Sequence, residues 1–216
     1  MGVINKPDAQ NGKFILSGQF IEYEGVYLWQ IKSRQEGYLG GWIENPSNLS
    51  ADGDCWVGAD ARVLGQVVIS GDALVQGSVI KGNVRVRGGR ILSGNVSGDV
   101  EVIGGTIQGG NISGNTIIRG NALIIGDPVI TGGTISGNST ISGGCISGGR
   151  IWGGTVTGGE IHGGQITGNA RIEGGVVRGG EIGGRAIIRS GAIMKNGHFD
   201  DGVFANGEFH NHYENA

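Results

Sequence analysis

Ala61-Arg62-Val63-Leu64-Gly65-Gln66, Val67-Val68-Ile69-Ser70-Gly71-Asp72 and Ala73-Leu74-Val75-Gln76-Gly77-Ser78 are three consecutive six-residue units. Each reads Ala or Val, x, Val or Ile, x, Gly, x. The first and third positions are two residues apart, so on a strand they face the same side. Glycine two residues later marks a corner, where a positive φ or a close backbone approach is needed. A repeat this short cannot bury its own apolar side chains. It must stack on copies of itself.

Downstream the unit shortens to five. Cys145-Ile-Ser-Gly-Gly149, Arg150-Ile-Trp-Gly-Gly154, Thr155-Val-Thr-Gly-Gly159 and Glu160-Ile-His-Gly-Gly164 each keep one Ile or Val and end on a glycine pair. Six-residue units return at Ala170, Ala186 and Ala192, and the five-residue spacing persists as Phe199, Phe204 and Phe209. Apolar residues do not recur at helical spacing, and β-branched residues suit a pleated wall. The pattern predicts an all-β, single-stranded parallel β-helix (a solenoid) of mixed five- and six-residue units, three units to a coil. The hexads look like the hexapeptide repeats of left-handed triangular β-helices. The pentads are also similar to the right-handed, four-sided pentapeptide-repeat helix, but lack its Ala-Asp/Asn-Leu core. Hexads at both ends favour the left-handed form.

Working outward, aromatic residues mark the boundaries. Trp29, Trp42, Trp56, Tyr23, Tyr27, Tyr38, Phe14 and Phe20 lie in the first 60 residues, and Trp152 alone interrupts the stretch from Ala61 to Gly197. The middle is therefore a narrow object and the bulky rings sit at its ends. Residues 1–57 are read as a β-rich N-terminal cap with a lead-in segment, 58–197 as the repeat body, and 198–216 as a C-terminal cap and tail. Within the cap, residues 13–33 read as two or three antiparallel strands with turns near Ser17-Gly18 and Glu24-Gly25.

Composition narrows the function classes. Glycine accounts for 48 of 216 residues and proline for 3, which excludes collagen. Charged residues are 16% and hydrophobic residues 38%, the reverse of a disordered chain. A net charge of −3 lacks the basic footprint of a nucleic-acid binder. Cys55 and Cys145 are too few for a disulfide framework and read as free thiols. No signal peptide or apolar run of membrane-spanning length is visible, so a cytoplasmic location is expected.

Residues 40–57, Gly-Gly-Trp42-Ile-Glu-Asn-Pro-Ser-Asn-Leu-Ser-Ala-Asp-Gly-Asp-Cys55-Trp56-Val, carry a sharper signal. The segment resembles the GGW-(V/I)-(E/D)…N-x-LS…GDCW-(I/V) motif of the YdcK-like proteins, β-helical proteins of bacteria and prophages. The likeness is specific over residues 37–80. It implies a left-handed β-helix related in fold to hexapeptide-repeat acyltransferases, and it implies a phage or prophage origin. It implies no settled activity.

Candidate sites are few. Cys55 is a possible nucleophile within Asp54-Cys55-Trp56, but no histidine is near it in sequence. The reading adopted is that Trp42, Cys55 and Trp56 pack the join between cap and first coil, as Phe199, Phe204 and Phe209 pack the other end. His162 lies at an outward position; the acyltransferases of this fold use a histidine general base beside an inserted loop, and these repeats have no such insertion. His198, His210 and His212 are a candidate metal cluster, although a terminal segment is a poor scaffold for converging ligands. Trp152 follows the inward Ile151 and so points outward, making Trp152, with Arg150 and His162, a candidate protein interface. Glycine strings such as Gly132–Gly137 lack the Gly-Lys-Ser/Thr of a phosphate loop.

Taken together, the sequence reads as a non-enzymatic binding or assembly module with no cofactor, docking a protein partner through flat walls. It would act as a counter-defence inhibitor in the host cytoplasm or as a virion or tail component. A dimer or trimer through one wall is expected to be accessible. The alternative is an acyltransferase-like enzyme of the left-handed β-helix class.

Overall fold

In the computed structural model the described residues are 7, 12–113 and, from 116 onward, the strands up to His210 together with 167–168, 184–185 and 202. The chain is a β-solenoid whose coils stack in parallel. Trp152 and His212 lie outside the described residues, as do the corner residues of much of the second half.

Three ladders define three walls. The first steps from Ile43 to Val63, Ile80, Val96, Ile112, Ile130, Ile146, Ile161, Val177, Met194 and Phe209. The second runs from Leu49 through Ile69, Val86, Val102, Ile118, Ile135, Ile151, Ile166 and Ile182 to Phe199. The third runs from Val57 through Val75, Ile91, Ile107, Ile124, Ile141, Val156, Ile172 and Ile188 to Phe204.

The repeat explains this register. In the hexads, Ala61 and Val63, Val67 and Ile69, and Ala73 and Val75 are all buried, as expected of residues two apart on one face. In the pentad stretch Ile146 pairs with Ile161 and Ile151 with Ile166, each fifteen residues along. Fifteen residues are three pentads, so the coil stays three-sided where a four-sided helix would need four units. At the corner after the first wall, Gly65, Gly82 and Gly98 stack with φ of +70°, +94° and +85°. A Cβ on Gly82 would stand 3.0 Å from the Gly98 amide nitrogen. A left-handed backbone and a close neighbour together require glycine there.

The N-terminal cap extends the first wall. β1 (Phe14–Tyr23) and β2 (Val26–Ser33) form an antiparallel hairpin, and β2 pairs antiparallel with β3 (Leu39–Ile43). β3 then pairs in parallel with β5 (Arg62–Val63), after β4 (Trp56–Val57). The turn at Glu24-Gly25 forms as expected, with both residues in the left-handed region. The expected turn at Ser17-Gly18 does not form. The register between β1 and β2 slips there between Leu16 and Phe20, a bulge inside one strand. A Ser-Gly pair serves a bulge as well as a turn, because both need one residue at positive φ.

Two seams differ from the sequence reading. Ile43, Leu49 and Val57 are already first rungs of the three walls, so the solenoid starts inside the segment assigned to the cap. His198–Phe199, Val203–Phe204 and Gly207–His210 pair in parallel with the strands before them and are last rungs of the same walls. Phe14, Leu16, Trp29 and Ile31 of the hairpin are buried and join the solenoid core, and Phe204 packs against it, half-buried. No helix among the described residues is long and apolar enough to cross a membrane.

Candidate functional site

A cleft of about 500 Å³ opens where the hairpin meets the first coil. Three segments line it: Gly12 and Lys13 ahead of β1, residues 33–38 between β2 and β3, and residues 51–56 leading into β4. None has the alternation of a strand, so each is shaped by hydrogen bonds. The 33–38 loop is closed by Ser33 N–H donating to the Tyr38 carbonyl at 2.9 Å and Gly37 N–H donating to the Ser33 carbonyl at 3.2 Å. The Ser33 hydroxyl accepts from the Glu36 amide at 3.1 Å. Arg34 N–H donates to the Lys13 carbonyl at 3.0 Å, joining two of the segments.

Lys13 ties the third. Its Nζ donates to the Cys55 carbonyl and the Cys55 Sγ, both at 3.3 Å, and to the Asp52 carbonyl at 3.4 Å. Cys55 is fully buried, with Sγ 3.6–3.7 Å from the carbonyl oxygens of Ser50, Asp52 and Ile69. A thiol in that setting is a packing group with a weak donor. Trp56 is half-buried against the core and meets Tyr38 edge to face, with centroids 5.1 Å apart. Tyr38 remains 47% exposed. The charged lining residues are Lys13, Arg34, Glu36 and Asp54, two of each sign.

Residues of the 40–57 segment have structural tasks at the start of the solenoid. A Cβ on Gly40 would strike the Ile31 and Trp56 side chains, and one on Gly41 would strike the Gly58 and Ala61 carbonyls. Asn48 is buried: its Nδ2 donates to the Gly65 carbonyl at 3.0 Å and the Val67 carbonyl at 2.8 Å, and its Oδ1 accepts from the Asn45 amide at 2.8 Å. It fastens the start of the first coil to the second. Trp42 is not a core residue. It pairs with Gln30 and Arg62 on the outer face of the first wall and is half-buried there.

The remaining candidates are spread out. Arg150 pairs with Gln165 on the second wall, whereas His162 pairs with Ser147 and Arg178 on the first and is exposed. Glu181, which pairs with Gln165, pairs also with His198, so Arg150 and His198 share one row of the second wall. His210 pairs with Asn196 on the first wall. The register thus separates His198 from His210, and no group of three or more His, Cys, Asp or Glu side chains among the described residues could hold a metal.

The cleft itself was not visible in the sequence. Of its lining Ala51, Asp54, Cys55 and Trp56 belong to the 40–57 segment singled out there; Tyr38 and the rest of the 33–38 loop lie outside that motif. No protein-family model matches the chain, and a search of curated proteins gives no match.

Proposed function

We propose that the chain is a non-enzymatic β-solenoid module that docks a protein partner through its flat walls. One observation supports this above others. From Val57 onward each rung follows the one below it by 15 to 18 residues on every wall, as in Val57 to Val75 and Ile146 to Ile161. Spacing that regular leaves no length for the inserted loop beside which hexapeptide-repeat acyltransferases place their histidine base. His162 is exposed on the first wall, and no such inserted loop lies beside it in the sequence.

On this reading the protein belongs with the YdcK-like proteins and comes from a phage or prophage. It acts in the host cytoplasm as a counter-defence inhibitor or in the virion as a tail component. A self-complementary wall also permits a dimer or trimer. We take the contact to lie beside Ile151 of the second wall, where Arg150 precedes it and Trp152 follows it in the sequence.

The test has two arms. Purified protein is incubated with acyl-CoA donors; stoichiometric binding or acyl transfer would overturn the reading in favour of an enzyme. In parallel, complexes are captured from the native host with wild-type and Trp152→Ala bait. Loss of a defined complex in the variant supports docking through the second wall, and an unchanged complex and oligomeric state removes that wall as the interface.

A further inference from the structure

The cleft beneath the hairpin has a chemistry of its own, distinct from the walls. We propose that it binds a neutral saccharide, with Tyr38 as the ring platform. Three observations lead there.

The first is the exposed ring. Tyr38 is held edge to face by Trp56, with an interplanar angle of 77°, and its backbone is fixed by the 2.9 Å bond from Ser33. The ring keeps 47% of its surface in the open at the mouth of the cleft. The negative π face of an aromatic ring attracts the slightly positive C–H face of a pyranose.

The second is the balance of charge. Lys13 and Arg34 are matched by Glu36 and Asp54. A phosphorylated ligand would meet two carboxylates and a cationic ligand two cations, so neither gains from the summed field. A sugar hydroxyl donates one hydrogen bond and accepts two, so it can use carboxylate acceptors and guanidinium donors at once.

The third is preorganisation. The segments are already joined through Arg34 to Lys13 and through Lys13 to Asp52 and Cys55, so little loop freedom remains to be lost on binding. The volume of about 500 Å³ falls inside the ordinary small-molecule range.

The experiment is saturation-transfer NMR on the full chain with three neutral probes, cellobiose, maltotriose and N,N′-diacetylchitobiose, and with pyrophosphate as an anionic competitor. Transfer to the ring protons of at least one saccharide is expected. Affinity should fall roughly three- to tenfold in Tyr38→Leu, the loss of one stacked ring, and be kept in Tyr38→Phe. Asp54→Asn, at an exposed position, should weaken binding without disturbing the seam. No transfer from any probe overturns the proposal. So does transfer unchanged in both Tyr38→Leu and Asp54→Asn, or displacement of the sugar by pyrophosphate. Because Trp152 lies far along the chain, Trp152→Ala should leave the transfer intact, which keeps this result separate from wall docking.

Discussion

Glu24, at the tip of the N-terminal hairpin, accepts a 2.9 Å hydrogen bond from Lys81, two rungs up the first wall. Beside this pair the Arg62 guanidinium lies over the Tyr23 ring, 5.0 Å from its centroid. The hairpin is therefore fastened at both ends, by its tip to the outside of the wall and by Lys13 to the turn before β4.

The pair predicts a pH dependence. The hydrogen bond to Glu24, and then its charge, hold the Lys81 pKa above the ordinary value of 10.5. A raised lysine pKa contributes stability that is fully present below the ordinary value and is lost as pH rises through the folded one. Both side chains are nearly half exposed, so the effect is small and screened by salt. Thermal melts from pH 9 to 12 should show a steeper alkaline fall for wild type than for Glu24→Gln, with the difference shrinking in 0.5 M salt.

Asn48→Ala removes three hydrogen bonds and leaves the Gly65 and Val67 carbonyls short of a donor. A loss of about 2–3 kcal/mol is expected in urea titration. Asn48→Asp should be worse, because it turns an acceptor toward two carbonyl oxygens. If Asn48→Asp matched wild type, the assigned bonding would be wrong.

Gly41→Ala drives a methyl group into the Gly58 and Ala61 carbonyls, which belong to backbone and cannot rotate away. Destabilisation of about 1–3 kcal/mol is expected. Gly12→Ala, where a Cβ meets nothing within 4 Å, is the control and should leave the melting temperature unchanged.

Cys55 should be inert in the folded protein. In a Cys145→Ser background, Ellman's reagent should modify no thiol until denaturant unfolds the first coil, since Cys55 is fully buried. Fast labelling under native conditions would revive the nucleophile reading.

Much of the solenoid was legible because its information is local. A Val or Ile flanked by a glycine two positions on states both the inward residue and the corner, and the fifteen-residue spacing of three pentads preserves the register from Ile146 to Ile161. The hairpin's path was not legible. Lys13 reaches Cys55, and Glu24 reaches Lys81, across 42 and 57 residues. Nothing in the periodicity of either partner announces such a contact. The cleft was hidden for the same reason: Tyr38 looks like any cap aromatic until the 33–38 loop turns it toward Trp56. As for the metal reading, the register separates His198 from His210 onto different walls, and His212 lies outside the described residues.

The closed hairpin end has a consequence for how the protein is made. Residues 14–57 leave the ribosome before the later coils, and they already hold the lid and the first rung of all three walls. Every later coil of 15 to 18 residues emerges onto a finished edge that matches its hydrogen-bonding pattern, touching only the coil before it. Growth from that seed is directional and each step closes a short loop, so the long β ladders form without long-range search. Unfolding under force or protease should run the other way, from the phenylalanine rung back toward Phe14.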